Sequence, residues 1–352
     1  MKIGTDFSGI GSPESALKRL GLDIEEVFAC EIDKYARKSF TELHNPNTFY
    51  EDITTRNHSE VPQLDLYVAG FPCQSFSMAG KRGGFEDTRG TLFFNVAEFI
   101  KENKPKCFVL ENVKGLLSHD KGRTYQTITD VLTNGGGTLN GQISVDSLDS
   151  GLGYHVYTKV LNTKDYGVPQ NRERIFIVGF KDFRDFNFPK KMDLKLRLKD
   201  LLESDVDEKY YLSDKLIEGF KKGSWGNRYK LKEGNSIANC LDTKEGNRRT
   251  NNYISHSLYP RSSTSGKGGS GHLSKSDGTS YCVDTGCSQG VEYKKKIRRL
   301  TPLECWRLQG FTDSQFYKAE KVNSDTQLYK QAGNSITVNV LVELFNKIYY
   351  ER

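Results

Sequence analysis

Short apolar runs alternate with segments of helical periodicity along the first half of the chain. Apolar residues at Ala16, Leu17 and Leu20 follow helical spacing, whereas the runs around them are short and end at glycine, proline or charged residues, as strands do. The runs that predict strands are residues 1–7, 27–30, 65–69, 107–113 and 175–178. Because strand and helix patterns alternate, we expect an α/β fold with a doubly wound sheet over residues 1–180.

The pattern changes in three later segments. Residues 134–150 are rich in glycine and serine, which predicts a surface loop. Over residues 181–297 helical periodicity fades and small, polar and basic residues dominate, which indicates a separate, smaller β-rich domain. Apolar positions from Ile336 to Ile348 then predict an amphipathic helix. We expect that residues 298–352 return to the first domain, which would make that domain discontinuous in sequence.

A cysteine follows the apolar run 65–69 within a rigid turn. Gly70 and Pro72 end the run, and proline restricts its own backbone and that of the preceding residue, so Cys73 lies on a stiff loop. The open end of a strand is where α/β folds place reactive groups. Taken alone, however, a single cysteine is more often a buried structural residue.

A glycine-rich turn joins the first predicted strand to the first helix. Residues 8–11 (Ser-Gly-Ile-Gly) predict a nucleotide-type cradle, and Glu31 follows the second strand at the distance where an acid hydrogen-bonds ribose hydroxyls. Asp52 adds another acid after the next strand. Glu14 replaces the third glycine of the dinucleotide fingerprint, and a carboxylate is a poor neighbour for a pyrophosphate. An adenosine ligand without phosphates, such as S-adenosylmethionine, therefore fits better.

Two more strands carry polar residues at their ends. Glu111 and Asn112 end one strand, and Arg172 and Arg174 come just before another. In isolation such residues are more often turn caps and solvated charges.

Together and in this order, these segments resemble the DNA (cytosine-5) methyltransferases. The resemblance covers about residues 1–132, 154–180 and 297–345. Its motifs are residues 7–11, Glu31, Asp52, Pro72-Cys73-Gln74, Glu111-Asn112-Val113, Gln170-x-Arg172-x-Arg174, residues 299–305 and residues 331–335. The family implies a class I S-adenosylmethionine-dependent methyltransferase fold, with a mixed, mostly parallel seven-stranded sheet and a β-rich target-recognition domain.

The resemblance also implies roles for individual residues. Cys73 would supply the thiolate that adds to C6 of a flipped cytosine, Glu111 would protonate N3, and Arg174 would hold the base. Asn112 would fix the turn around Pro72 and Cys73, and Arg172 is a weaker catalytic candidate, for which a structural role is the alternative. Expected cofactor contacts are Phe7, Ser8, Gly9, Ile10, Gly11, Glu31, Ile32, Asp52, Ile53, Gly70, Pro72, Leu92, Asn334 and Ser335. Expected DNA contacts are Gln74, Ser77, Lys81, Arg82, Lys294, Lys295 and Arg298.

Composition is compatible with this interpretation. The formal net charge of +6 suits a polyanionic partner but is mild. Seven cysteines, an odd number, favour a reducing compartment, and we expect a cytoplasmic protein. Cys282 and Cys287 lack nearby cysteine or histidine partners, so we expect no metal site. No apolar run has membrane length, and Met1 leads almost directly into a strand, so we expect neither a membrane span nor a leader peptide.

Three alternatives remain open. A tRNA methyltransferase of the same lineage would keep nearly every motif, although its Cys-Phe-Thr signature is not found. A catalytically inactive DNA-binding relative would not need Cys73, Glu111 and Arg174 together. An NAD-linked oxidoreductase would explain Glu31 but not the Pro-Cys motif. The favoured hypothesis is a site-specific enzyme that acts as a monomer on double-stranded DNA, with a cognate restriction endonuclease as a candidate partner.

Overall fold

The computed structural model describes most of the chain: residues 1–72, 92–133, 151–211, 213, 254–257, 273–275, 279–280, 282, 289–293 and 296–351. The chain divides into two compact units. The first unit consists of residues 1–161, 173–189 and 341–352, and the second consists of residues 162–172 and 190–340.

A seven-stranded sheet forms the centre of the first unit. Its strands are β1 (Lys2–Asp6), β2 (Glu25–Cys30), β3 (Thr48–Tyr50), β4 (Leu66–Ala69), β5 (Cys107–Val113), β6 (His155–Asn162) and β7 (Glu173–Phe180). The strand order is β3-β2-β1-β4-β5-β7-β6. The pairs from β3 to β5 are parallel, whereas β7 runs antiparallel to β5. The predicted mixed, mostly parallel seven-stranded sheet is confirmed.

Four helices of the first unit accompany these strands: α1 (Ser12–Arg19), α2 (Lys34–Leu43), α3 (Leu92–Asn103) and α4 (Arg123–Leu132). Asp33 caps α2 by accepting hydrogen bonds from the N–H groups of Tyr35 and Ala36. Aromatic rings are prominent in the buried core, where Phe28 packs edge-on against Phe99. This core supports the strand ends at which the predicted site residues lie.

The second unit contains a smaller antiparallel sheet and a group of helices. The sheet has the order β11-β10-β8-β9, formed by β8 (Ile254–Ser257), β9 (Leu273–Lys275), β10 (Gln289–Tyr293) and β11 (Lys296–Arg299). The helices are α5 (Pro302–Arg307), α6 (Asp313–Glu320) and α7 (Asp325–Asn334), and the last helix, α8 (Val338–Tyr349), begins here and continues into the first unit.

The boundary between the units differs from the predicted one. We expected all of residues 298–352 to return to the first domain, but only residues 341–352 belong to the first unit. The reason is the packing of α5–α7. Trp306 of α5 is fully buried, contacts the ring of Phe316 on α6, and donates a 3.0 Å hydrogen bond to the carbonyl of Leu328 on α7. Residues 298–340 therefore have their own core within the second unit.

Among the helices that the structure describes, none combines the length and apolarity needed to cross a membrane.

Candidate active site

The turn after β1 has a backbone that constrains its sequence. Phe7, Gly9 and Gly11 all have positive φ, at 54°, 55° and 81°. The N–H of Gly11 donates a 3.0 Å hydrogen bond to the carbonyl of Ser8, which closes the turn. A Cβ atom at Gly11 would lie 2.2 Å from the ring of His44, so glycine is required there for space as well as for conformation.

Glu31 connects this turn to the end of β2. Its Oε2 accepts a 2.9 Å hydrogen bond from the N–H of Gly9, and its Oε1 accepts one of 2.8 Å from the N–H of Asp33. Burial raises the pKa of the Glu31 carboxyl, and these two N–H donors oppose the rise. The carboxylate is therefore held in place between the ends of two neighbouring strands.

Other expected cofactor residues fall into two groups. Ile32 is 75% exposed, which leaves an apolar side chain beside Glu31 open to a ligand. Asp52 accepts hydrogen bonds of 2.8 Å from the N–H and hydroxyl of Thr54 and is only partly buried. In contrast, Ile10 and Ile53 are buried and belong to the hydrophobic core.

Glu14 lies buried just beyond the glycine turn, near the start of α1. It is 1% exposed, and its Oε1 accepts a 2.8 Å hydrogen bond from the hydroxyl of Thr5. Burial raises the pKa of Glu14, although His44 and the hydrogen bonds to the carboxyl oppose this. Glu14 is closed off from solvent, so its carboxyl is not available to contact a ligand in the turn.

Glu111 and Arg174 form an ion pair at the carboxyl end of β5. Nε of Arg174 lies 3.1 Å from Oε1 of Glu111, and a guanidinium N–H of Arg174 donates to the carbonyl of Glu173 at 2.8 Å. Glu111 is 9% exposed, and Arg174 remains partly accessible. The structure therefore brings together two of the three principal catalytic residues that the resemblance implied.

Asn112 connects the same strand end to the turn that precedes Cys73. Its amide Nδ2 donates a 2.9 Å hydrogen bond to the carbonyl of Phe71, and its Oδ1 accepts one of 2.8 Å from the N–H of Val113. Phe71 is buried, while Pro72 is exposed. The backbone of Phe71, two residues before Cys73 in the sequence, is therefore held in place by Asn112.

Three of the expected catalytic and cofactor residues lie in the second unit. Arg172 is 4% exposed and donates hydrogen bonds of 3.1 and 3.0 Å to the carbonyls of Gly333 and Ser335. These carbonyls lie at the C-terminal end of α7, where the helix itself supplies no N–H partners. Ser335 is buried, and its hydroxyl donates to the carbonyl of Gln331. Asn334 is exposed. In this unit Arg172 supports the segment that carries Asn334 and Ser335.

Arg298 does not match its predicted role. We expected it to contact phosphate, but Arg298 is only 2% exposed. Its guanidinium forms a bidentate ion pair with the carboxylate of Glu304, with N–O distances of 2.8 and 2.7 Å. Glu304 also accepts a hydrogen bond from the N–H of Thr301 in the capping box of α5. Since the guanidinium is buried against this carboxylate, we correct the assignment: Arg298 supports the fold of the second unit.

Several expected residues lie outside the described part of the chain: Cys73, Gln74, Ser77, Lys81, Arg82, Lys294 and Lys295. The segment 134–150 and most of the predicted recognition domain also lie outside it. Leu92 is the first residue of α3 and is partly buried. Within the described ranges, no group of three or more His, Cys, Asp or Glu residues is placed to hold a metal ion.

Sequence reasoning missed a buried group beside the glycine turn. Arg56 and Tyr67 both donate hydrogen bonds to the carboxylate of Asp6, and all three residues are buried. The one available signal was position, because Asp6 directly precedes Phe7 and Arg56 follows Asp52 by four residues.

Comparison with known sequences gives a consistent result. The sequence model of the family described as C-5 cytosine-specific DNA methylase matches residues 1–350. Similar proteins include the orphan methyltransferase M.SPRI of Bacillus phage SPR, at 35% identity over 99% of this chain and 98% of that protein. The type II methyltransferase M.NlaX of Neisseria lactamica is 38% identical over 97% of this chain and 93% of that protein.

Solved structures agree at the level of the fold. The Dnmt2 methyltransferase of S. pombe superposes with a TM-score of 0.64 at 17% identity, covering 98% of this chain and 97% of that chain. A methyltransferase of Entamoeba histolytica, EhMeth, gives a TM-score of 0.62 at 18% identity, with 99% and 98% coverage.

Proposed function

Because the chain belongs to the C-5 cytosine-specific DNA methylase family, we propose that it methylates C5 of cytosine through a covalent bond between Cys73 and C6 of a flipped base. The general reaction is that of the family: this chain is a DNA (cytosine-5) methyltransferase that uses S-adenosylmethionine. The observation that supports our residue assignment most directly is the Glu111–Arg174 ion pair, 3.1 Å apart at the end of β5.

The chemistry explains why a thiolate and an acid are needed together. Cytosine C5 is a weak nucleophile, and a stacked base is out of reach, so the base must first be extruded from the duplex. The Cys73 thiolate adds to C6 and forms an S–C6 bond, while the electron pair of the C5–C6 double bond moves into the ring. Glu111 donates a proton to N3, which removes the negative charge that this addition would leave on the base.

Arg174 contributes charge and position. Its guanidinium would hold the base and balance the charge that develops on it, and its ion pair orients the Glu111 carboxyl. S-adenosylmethionine, when bound, supplies an electrophilic methyl group to C5. C5 then loses its proton to a base, the C5–C6 double bond re-forms as the S–C6 bond breaks and releases the Cys73 thiolate, and N3 returns its proton to Glu111.

The cofactor would occupy the turn after β1. Glu31 would accept hydrogen bonds from the ribose hydroxyls, Phe7 and Ile32 would contact the adenine, and Asp52 would approach its amino group. Two observations support this placement: the Glu31 carboxylate is fixed by two backbone N–H groups, and Ile32 is exposed. Asn334 and Ser335, which the family resemblance implies as cofactor contacts, lie in the second unit. Arg172 would support these two residues without touching the substrate.

The partners follow from the family and its relatives. We propose that the enzyme acts as a cytoplasmic monomer on double-stranded DNA, and that a cognate restriction endonuclease recognises the same site. The support is that similar proteins include type II methyltransferases. DNA from cells that express this chain should resist cleavage by that endonuclease, and bisulfite sequencing of the same DNA would identify the methylated site.

A mechanism-based trap tests the covalent step. In a duplex carrying 5-fluorocytosine at the target, Cys73 can still add to C6 and the methyl group can still be transferred, but fluorine cannot leave C5 as a cation. We expect a denaturation-resistant protein–DNA adduct that depends on S-adenosylmethionine and maps to Cys73. An adduct at another cysteine, or no adduct on DNA that is methylated when unmodified, would overturn the proposal.

A further inference from the structure

A buried ion pair joins the two loops to which we assign the adenine of the cofactor. Nη1 and Nη2 of Arg56 lie 2.6 and 2.8 Å from the two carboxylate oxygens of Asp6, and both side chains are fully buried. The hydroxyl of Tyr67, on β4, donates a 2.6 Å hydrogen bond to the same carboxylate. Asp6 therefore has a bidentate partner and a third donor, without access to solvent.

The guanidinium of Arg56 is also held by aromatic rings. Its central carbon lies 4.4 Å from the ring centroid of Phe28 and 4.4 Å from that of Phe99, and 5.6 Å from that of Tyr50. A planar guanidinium can stack on rings and bind a carboxylate through two parallel hydrogen bonds, which a lysine ammonium cannot do. These contacts fix both the position and the orientation of the Arg56 guanidinium.

Its position in the chain connects this geometry to the site. Asp6 directly precedes Phe7, the residue with positive φ that begins the glycine turn. Arg56 directly follows a turn in which the N–H of Thr55 donates to the carbonyl of Asp52. The ion pair thus joins the segment that carries Phe7 to the segment that carries Asp52, although fifty residues separate its partners.

We propose that Arg56 is a positioning residue that sets the spacing between Phe7 and Asp52 and so determines cofactor affinity. This inference rests on the adenine site assigned above. Removing one partner of a buried ion pair leaves the other as an uncompensated charge, which is costly, so burial alone would explain a stability role for Arg56. The distinguishing expectation is a change in cofactor binding that is separate from any loss of stability.

Arg56→Lys is the first test, because it keeps the charge and loses the two-pronged geometry. By calorimetry on the full chain, the dissociation constants of S-adenosylmethionine and of adenosine should both rise about tenfold, since the change acts on the adenine end. At saturating S-adenosylmethionine, kcat should stay within about twofold of the wild-type value, so that the effect falls on KM.

Two further variants separate positioning from folding. Asn103→Ser is the matched control: Asn103 is a buried anchor of the same unit that bonds to Val61, Pro62 and Leu64, and its loss should lower stability while cofactor affinity stays unchanged. The double variant Asp6→Asn with Arg56→Met removes the buried charges. It should fold and still bind the cofactor weakly.

Each result supports or overturns the inference. Wild-type affinity in folded Arg56→Lys, or restored affinity in the double variant, would overturn the positioning role while leaving the proposed function intact. If Asn103→Ser weakened cofactor binding as much as Arg56→Lys does, general destabilisation would explain the effect and the inference would fail. If Glu31→Ala also bound S-adenosylmethionine like the wild type, the cofactor site itself would be misplaced, and both proposals about it would fail.

Discussion

Arg174 faces Glu111 because β7 runs antiparallel to β5. In the register of these strands, Arg174 pairs with Val113, two residues beyond Glu111, and the side chains meet at 3.1 Å. A parallel β7 would place its first residues at the opposite edge of the sheet, away from the carboxyl end of β5. The single reversed strand in this part of the sheet is thus what brings the arginine to the acid.

The first prediction concerns this acid. Glu111→Gln keeps the size of the side chain but cannot donate a carboxyl proton to N3, so methyl transfer should slow by about 10²- to 10⁴-fold. Binding of S-adenosylmethionine should change little, since Glu111 belongs to the base site. Single-turnover methylation and calorimetry on the same preparation measure the two quantities separately.

Glu173→Gln provides the control for that experiment. Glu173 is adjacent to Arg174 and forms an exposed ion pair with Lys114 at 2.9 Å, so it carries a similar charge at a similar place. Its replacement should leave turnover near the wild-type rate. Equal rate losses in the two variants would indicate a general electrostatic effect and would contradict the acid role of Glu111.

The second prediction concerns the cofactor. Glu31→Ala should weaken S-adenosylmethionine binding by about tenfold or more, because a hydrogen bond to a charged group contributes about 1.5–3 kcal/mol. The variant also loses the acceptor for the N–H of Gly9, so the turn itself becomes less ordered. Glu25→Ala, an exposed carboxylate at the start of β2, is the control and should bind like the wild type. An unchanged dissociation constant in Glu31→Ala would remove Glu31 from the site.

Local signals explain why much of the first unit could be predicted. An apolar run, a glycine turn and a capping acid each act within a few residues of themselves, so the strands around Glu31 and Glu111 follow from the sequence. The Asp6–Arg56 pair does not, because nothing near Arg56 distinguishes a buried arginine from a solvated one. Its partner Asp6 is fifty residues away on β1, so the pair forms only in the folded chain.

The second unit was harder to predict for a related reason. The run Lys294–Arg299 has the composition of a solvated basic surface, yet Arg298 is buried. Its partner is the buried carboxylate of Glu304, which also accepts a hydrogen bond from the N–H of Thr301 in the capping box of α5. Such a tertiary contact outweighs the local charge pattern.

The third prediction separates these basic residues by function. Arg298→Met leaves Glu304 as an uncompensated buried charge, so the free energy of unfolding should fall by about 3–5 kcal/mol. The salt dependence of DNA binding should stay as it is. Replacing both Lys294 and Lys295 with alanine should do the reverse, lowering DNA affinity and flattening its salt dependence while stability is kept. Denaturant unfolding and DNA binding over a range of salt concentrations measure both properties, and a flattened salt dependence in Arg298→Met would restore its DNA role.

The fourth prediction is a pH dependence of stability that comes from Glu14. Burial raises the pKa of this carboxyl above its ordinary value of 4.5, although His44 and the hydrogen bond from Thr5 oppose the rise. A raised pKa in the folded state means that the unfolded chain releases the proton first as the pH increases. Stability from Glu14 is therefore complete below about pH 4.5 and is lost as the pH rises through the pKa of the folded state.

Glu14→Gln, which cannot ionise, should remove this loss, so its free energy of unfolding relative to the wild type should increase between about pH 5 and neutral pH. Glu42→Gln, an exposed residue of α2, is the control and should show no such trend. A difference between Glu14→Gln and the wild type that stays constant across this range would contradict the assignment of a raised pKa to Glu14.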